Sequence, residues 1–172
     1  MDGDIEVRQY DTLLWASTDV ESDSVSSAGS IAFGRLFGYL SGENDASQKI
    51  DMTAPVINKI TPGTGPNCNN TFTVSFFVPW SYQNDVGPPK PTAEDVYIEE
   101  KKMGEFAVAT YGGFAGDDDV VQEASELADA IFDSKDISED EKNGGEYYFV
   151  GYDSPYTLRN RHNEDWLGVV NL

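Results

Sequence analysis

Twice along this chain a β-rich stretch is followed by a helical one and then by two more β-rich runs, and this recurring order is the strongest constraint on the fold. In the first half, IEVRQY and LLWASTDV flank Asp11-Thr12 and predict a hairpin. Ser22, Asp23 and Ser24 offer caps for a helix that Ser41-Gly42 ends. KIDMTAPVINKI and TFTVSFFVP then read as strands, separated by the turn-forming TPGTGPNCNN. In the second half, DVYIEEKK and GEFAVATYGGF predict another hairpin, DDDVVQEASELADAIFDS a second helix, and GEYYFVGY and DWLGVVNL the closing strands. Val120, Ala124, Leu127 and Ile131 share one stripe of that second helix, and the leading aspartates face the positive end of its dipole. The prolines of SYQNDVGPPKPTAED fix an extended connector between the halves. The expectation is an α+β fold with one domain over residues 1–172 and pseudo-repeats of about 4–80 and 94–172. The duplicated hairpin-helix-two-strand unit would close into one barrel-like sheet with two outer helices. The halves share little residue identity, so the repeat lies in the order of elements.

The 172 residues, 39% hydrophobic and 12% aromatic, suffice for a single core and exclude intrinsic disorder. Eleven Lys and Arg against 31 Asp and Glu give a net charge of -20, which repels phosphate backbones and anionic headgroups. Nucleic acid and membrane surfaces are therefore expected to be poor partners, with no binding of nucleic acid and no insertion into a membrane. The acidity reads first as a solubility device and second as a docking surface. No apolar run approaches the roughly 18 residues needed to span a bilayer, and MDGDIEV lacks the basic and apolar regions of a signal peptide. A soluble, cytoplasmic protein is expected, with an organelle or the cell exterior as alternatives. Cys68 is the only cysteine, so no internal disulfide can form, and Asn69-Asn70-Thr71 is a glycosylation sequon that matters only in a secreted protein.

The first helix carries the feature that bears on function. In IAFGRLFGYLSG, residues 31–42, Gly34 and Gly38 stand beside Phe33 and Phe37, although each glycine costs a helix about 1 kcal/mol relative to alanine. At 100° steps, Val25, Ala28, Ala32, Leu36 and Tyr39 fall within about 80° of arc and form the core stripe. Leu40, Phe33 and Phe37 widen the apolar arc to about 180°, with Ser30 beside Phe37 and the glycines further round. Rings at i and i+4 flanked by small residues make a flat shelf on which a planar, apolar ligand could stack. The alternative is that the rings pack beneath a loop whose approach the glycines permit.

Nothing in the chain signals catalysis. Cys68 lies in a polar turn, the only histidine, His162, reads as a surface residue, and neither a nucleophile elbow, a phosphate-cradling loop nor zinc spacing occurs. Carboxylate pairs are expected by chance in so acidic a chain. No catalytic or metal-ligating residue is assigned, and Met52 is expected in the core.

EVRQY, GYLSGEN, KIDMTAPV, PPKPTAEDVYIEE, YGGF, GYDSP and NRHNEDWL occur in the order and spacing of the SOUL/heme-binding protein family, which the chain resembles from Ile5 to its C-terminus. The resemblance implies a distorted β-barrel with two helices. It also implies non-covalent binding of heme or another tetrapyrrole across the first helix and the loop before the last strand. Carried over by position, the pocket involves Ser30, Phe33, Phe37 and Gly38 on the helix and Tyr156, Thr157 and Leu158 in the loop. Heme-binding relatives place basic residues for the propionates at positions aligning with Ser30, Gly38 and Thr157, none of which is basic here. Arg35 and Arg159 are the candidate carboxylate partners, since a guanidinium grips a carboxylate with two hydrogen bonds. Where the SOUL branch has a histidine proposed as iron ligand, Gln9 stands between Arg8 and Tyr10, and a neutral amide is a poor iron ligand. The resemblance thus implies a carrier of heme, porphyrin or bilin without a strong axial iron ligand. Two other classes stay open: an enzyme that transforms a bound tetrapyrrole or other chromophore, and a ligand-free scaffold whose acidic faces recruit a basic partner.

Overall fold

The computed structural model of the chain describes residues 5–61, 69–113, 116–132, 146–153, 157 and 159–168. The first repeat supplies β1 (Glu6–Ser22), α1 (Val25–Leu40), β2 (Val56–Thr61) and β3 (Asn70–Phe77), followed by a short 3-10 turn at Trp80–Tyr82. The second supplies β4 (Tyr97–Tyr111), α2 (Asp117–Phe132), β5 (Tyr147–Gly151) and β6 (Asn163–Gly168). The strands run β1-β3-β2-β5-β6-β4 in a closed barrel, so that β4-β6-β5 repeats the arrangement β1-β3-β2. The expected α+β barrel with two helices is therefore present.

Neither expected hairpin exists. EVRQYDTLLWASTDV lies within a single strand of 17 residues, and DVYIEEKKMGEFAVATY ends in another of 15. A two-residue hairpin loop needs positive φ at its centre, which Asp11-Thr12, with its β-branched threonine, is ill suited to supply. At the second junction Gly104 does adopt φ +87, but the strand carries on through it. The run KIDMTAPVINKI is likewise shorter as a strand than expected, because only Val56–Thr61 pairs with β3. Pro55 just ahead of it has no N–H to give a ladder, and Thr53 instead donates its hydroxyl to the Phe77 carbonyl.

The chain divides into two compact units, Thr12–Lys102 and Met1–Asp11 with Met103–Leu172. In the first, Ser24 caps α1 by accepting from the Ser27 amide, and Gly42, at φ +121, turns the chain away at its end. The predicted stripe packs as expected, with Ala28, Ala32, Leu36 and Tyr39 buried against Phe72, Val74 and Phe76 of β3. Burial of a side chain such as Leu36 contributes about 1.5–3 kcal/mol. In the second unit, Val120 and Leu127 of α2 are buried, and Leu127 packs with Ala107, Ala109 and Leu167 from β4 and β6. No helix among the described residues is long and apolar enough to cross a membrane.

Candidate functional site

On the outer flank of α1 the rings of Phe33 and Phe37 stack with centroids 5.6 Å apart and planes 11° from parallel. This follows from their i, i+4 spacing, which sets side chains one above the other on a helix. Phe33 is anchored edge-on against Phe76 in the core, whereas Phe37 is 49% exposed. The shelf thus has one rigid member and one open one. Ser30, exposed on the same flank, donates its hydroxyl back to the Ser26 carbonyl at 3.0 Å.

The two glycines differ. A Cβ at Gly34 would have no neighbouring atom within 4 Å beyond the backbone of its own helix, so the chain's own packing does not require a glycine there. At Gly38 a Cβ would come within 2.7 Å of the Glu43 carboxylate, which lies over the helix backbone at this point. The idea that glycine admits a following segment therefore describes Gly38, and open space beside the aromatic shelf describes Gly34.

The segment after α1 is fixed by polar contacts that sequence reasoning missed. Asn44 is buried and donates to the carbonyls of Tyr39 and Gln48, while its Oδ1 accepts from the Gln48 amide. Tyr39 donates its hydroxyl to the Pro89 carbonyl, and Asp45 and Lys90 exchange two hydrogen bonds. The motifs GYLSGEN and PPKPTAED are thus locked to each other. Arg35 is also engaged: its Nε pairs with Asp95 at 2.7 Å, and its Nη1 donates to Thr18 and to the Asp19 carbonyl.

Tyr156 and Leu158, expected in the loop before β6, lie outside the described residues. Thr157 is half-buried and its carbonyl accepts from Arg161, whereas Arg159 is exposed. Gln9 is exposed on β1. Met52, expected in the core, is instead 45% exposed, because β2 begins only four residues later and nothing draws its side chain inward. Cys68 is outside the described residues.

A second cluster explains another motif. Glu164 on β6 is 3% exposed at its side chain and accepts from Arg8 at 3.0 Å, Tyr152 at 2.9 Å and Trp166 Nε1 at 2.7 Å, while His162 Nε2 lies 2.9 Å from it. Tyr10 stacks on the same Trp166 with centroids 4.3 Å apart. Burial alone would push the Glu164 carboxyl up, but the surrounding donors, Trp166 foremost, hold it below the usual carboxylate range. Arg8 of EVRQY, Tyr152 of GYDSP and His162 and Trp166 of NRHNEDW therefore converge on the Glu164 carboxylate, a structural arrangement in which His162 is already partnered. Among the described residues, no group of three or more His, Cys, Asp or Glu is placed to hold a metal ion.

A family model described as SOUL heme-binding protein matches residues 1–168. Heme-binding protein 2 of Homo sapiens is 36% identical over 165 residues, covering 96% of this chain and 78% of its own. Heme-binding protein 1 of Xenopus tropicalis is 30% identical over 161 residues, covering 94% and 81%. Among solved structures, the C-terminal domain of EcmrR superposes with a TM-score of 0.70 at 11% identity over 100% of both chains, a likeness of fold alone. With a family model matched over nearly its whole length and a relative 36% identical across 96% of it, the chain belongs to the SOUL heme-binding protein family.

Proposed function

We propose that this protein is a soluble, cytoplasmic carrier that binds heme or another tetrapyrrole non-covalently on the outer flank of α1. The observation that carries the reading is the Phe33–Phe37 stack, parallel to within 11° and half open, with free space at Gly34, in a chain of this family. A macrocycle laid against these rings gains apolar burial and ring-to-ring contact, about 0.5–1.5 kcal/mol per aromatic pair beyond burial. Ser30 and Gly38 border the ring edge in this reading, and Tyr156, Thr157 and Leu158 supply the loop side. Arg159 receives a ligand carboxylate, since Arg35 serves that role only by leaving Asp95. Heme would bring redox-active iron, but the described flank of α1 offers no imidazole, and His162 is paired with Glu164. Stacking and burial, rather than axial ligation, then hold the ligand.

Titration with hemin and with biliverdin tests this directly. A saturable, shifted absorbance band is expected, together with loss of binding by at least about tenfold in Phe37→Glu, which sets a charge in the stack. Unchanged affinity in that variant moves the site elsewhere. Consumption of the pigment during the titration identifies the enzyme alternative, and no spectral response to either pigment identifies the scaffold.

A further inference from the structure

Away from α1, the same compact unit has a concavity of about 390 Å³. Its walls are the middle of β1 at Thr12, Leu13 and Leu14, the turn from Trp80 to Asp85, and Glu100 on β4. Two carboxylates, Asp85 and Glu100, line it, and no basic side chain does. Trp80 is 70% exposed, an unusual cost for so large an apolar ring, and its contact with the core is edge-on to Phe77 at 5.3 Å. The remaining surface of the indole is left for another group.

The walls are held before anything binds. Gln83 accepts from the Leu14 amide at 2.8 Å and donates to the carbonyls of Leu14 and Val78 at 2.9 and 2.8 Å, clamping the turn to β1. Asn84 accepts from the amides of Val86 and Gly87 and donates to the Ser81 carbonyl, fixing the chain on both sides of Asp85. A cavity of a few hundred Å³ matches a small ligand or one protruding side chain. An indole next to carboxylates attracts a weakly hydrated organic cation, because the ring quadrupole and the anionic charges act with the same sign.

We propose that this groove is a binding site for an alkylated ammonium group, either a free small quaternary amine or an N-methylated lysine side chain, seated on Trp80 and neutralised by Asp85 and Glu100. The surrounding charge of -20 raises the local concentration of such cations.

The test uses the whole chain at physiological salt, with choline and its uncharged isostere 3,3-dimethylbutanol as probes. The other two tryptophans, Trp15 and Trp166, are buried, so solvent-sensitive indole emission reports chiefly on Trp80. Choline should change that emission saturably, and the isostere should bind at least about tenfold more weakly. Asp85→Asn combined with Glu100→Gln should weaken choline by about tenfold or more, while Glu94→Gln, outside the groove, should not. Trp80→Leu, followed by calorimetry, should abolish the heat of binding. Equal binding of choline and the isostere, an unaffected double variant, or no saturation overturns the assignment. A peptide bearing trimethyl-lysine, compared with choline, tells a protein partner from a free amine by which binds more tightly.

Discussion

Asp165 provides the most quantitative test of the buried electrostatics. It lies on β6 with its side chain fully buried, accepting from Tyr147 at 2.8 Å and Tyr111 at 3.3 Å through one oxygen, while the other oxygen has no partner. Burial pushes its carboxyl up to about 7 from an ordinary 3.8, aided by Glu123 and only partly offset by the two tyrosine hydroxyls. The folded state therefore holds a proton that the unfolded state has released across this window, and stability falls as pH rises from about 4 to 7. At 1.36 kcal/mol for each pH unit of displacement the full effect is about 4 kcal/mol, of which roughly 3 falls between pH 5 and 8.5. Asp165→Asn keeps the acceptor for the tyrosines, places an N–H where the orphaned oxygen stands, and cannot ionise. Urea unfolding at a series of pH values should show the variant gaining on the parent by about 3 kcal/mol between pH 5 and 8.5, or roughly 6–12 °C in Tm. Because the other carboxylates are common to both proteins, their titration cancels in the difference. A constant offset across that range would refute the claim that Asp165 is protonated in the folded protein near neutrality.

Glu164→Ala should cost about 3–5 kcal/mol in urea unfolding, because Arg8, Tyr152 and Trp166 would all lose a buried acceptor; a loss under about 1 kcal/mol would mean the cluster is easily replaced by water. Gly34→Ala should raise stability by about 0.5–1 kcal/mol, since its Cβ enters open space and removes a helix penalty. The same methyl group should weaken hemin or biliverdin binding at the aromatic shelf, a paired outcome read from one melting curve and one titration; stabilisation without any loss of affinity would separate Gly34 from the ligand.

What was legible in the sequence was what is decided locally. The bounds of α1 follow from Ser24 and Gly42, and the buried face of α2 from the spacing of Val120 and Leu127. The continuity of β1 and β4 was not legible, because a strand runs on wherever neighbouring strands pair with it, and those neighbours lie far along the chain. Met52 was misplaced for the same reason: its motif looked β-like, but pairing begins at Val56. The stack of Phe33 on Phe37 could be read from helical spacing alone. That Arg35 is occupied by Asp95, 60 residues on, and that Arg8 meets Glu164 could not, since such pairs depend on tertiary placement. A signal was present in the second case, as an isolated Glu-x-Trp beside the only histidine suggests a partnered acid, but nothing local named Arg8.

The compact units and the sequence repeats are out of step. Residues 12–102 form one unit, so the opening of the second repeat belongs with the first, where Ile98 packs against the α1 core. The opening of the first repeat belongs with the second, where Ile5 packs beside Leu127 and Leu167. Each repeat thus lends its leading strand segment to the other. A cut in the proline-rich connector would therefore strip Ile98 from the α1 core it packs against, so the boundary between the repeats is no seam along which the chain parts into self-sufficient pieces.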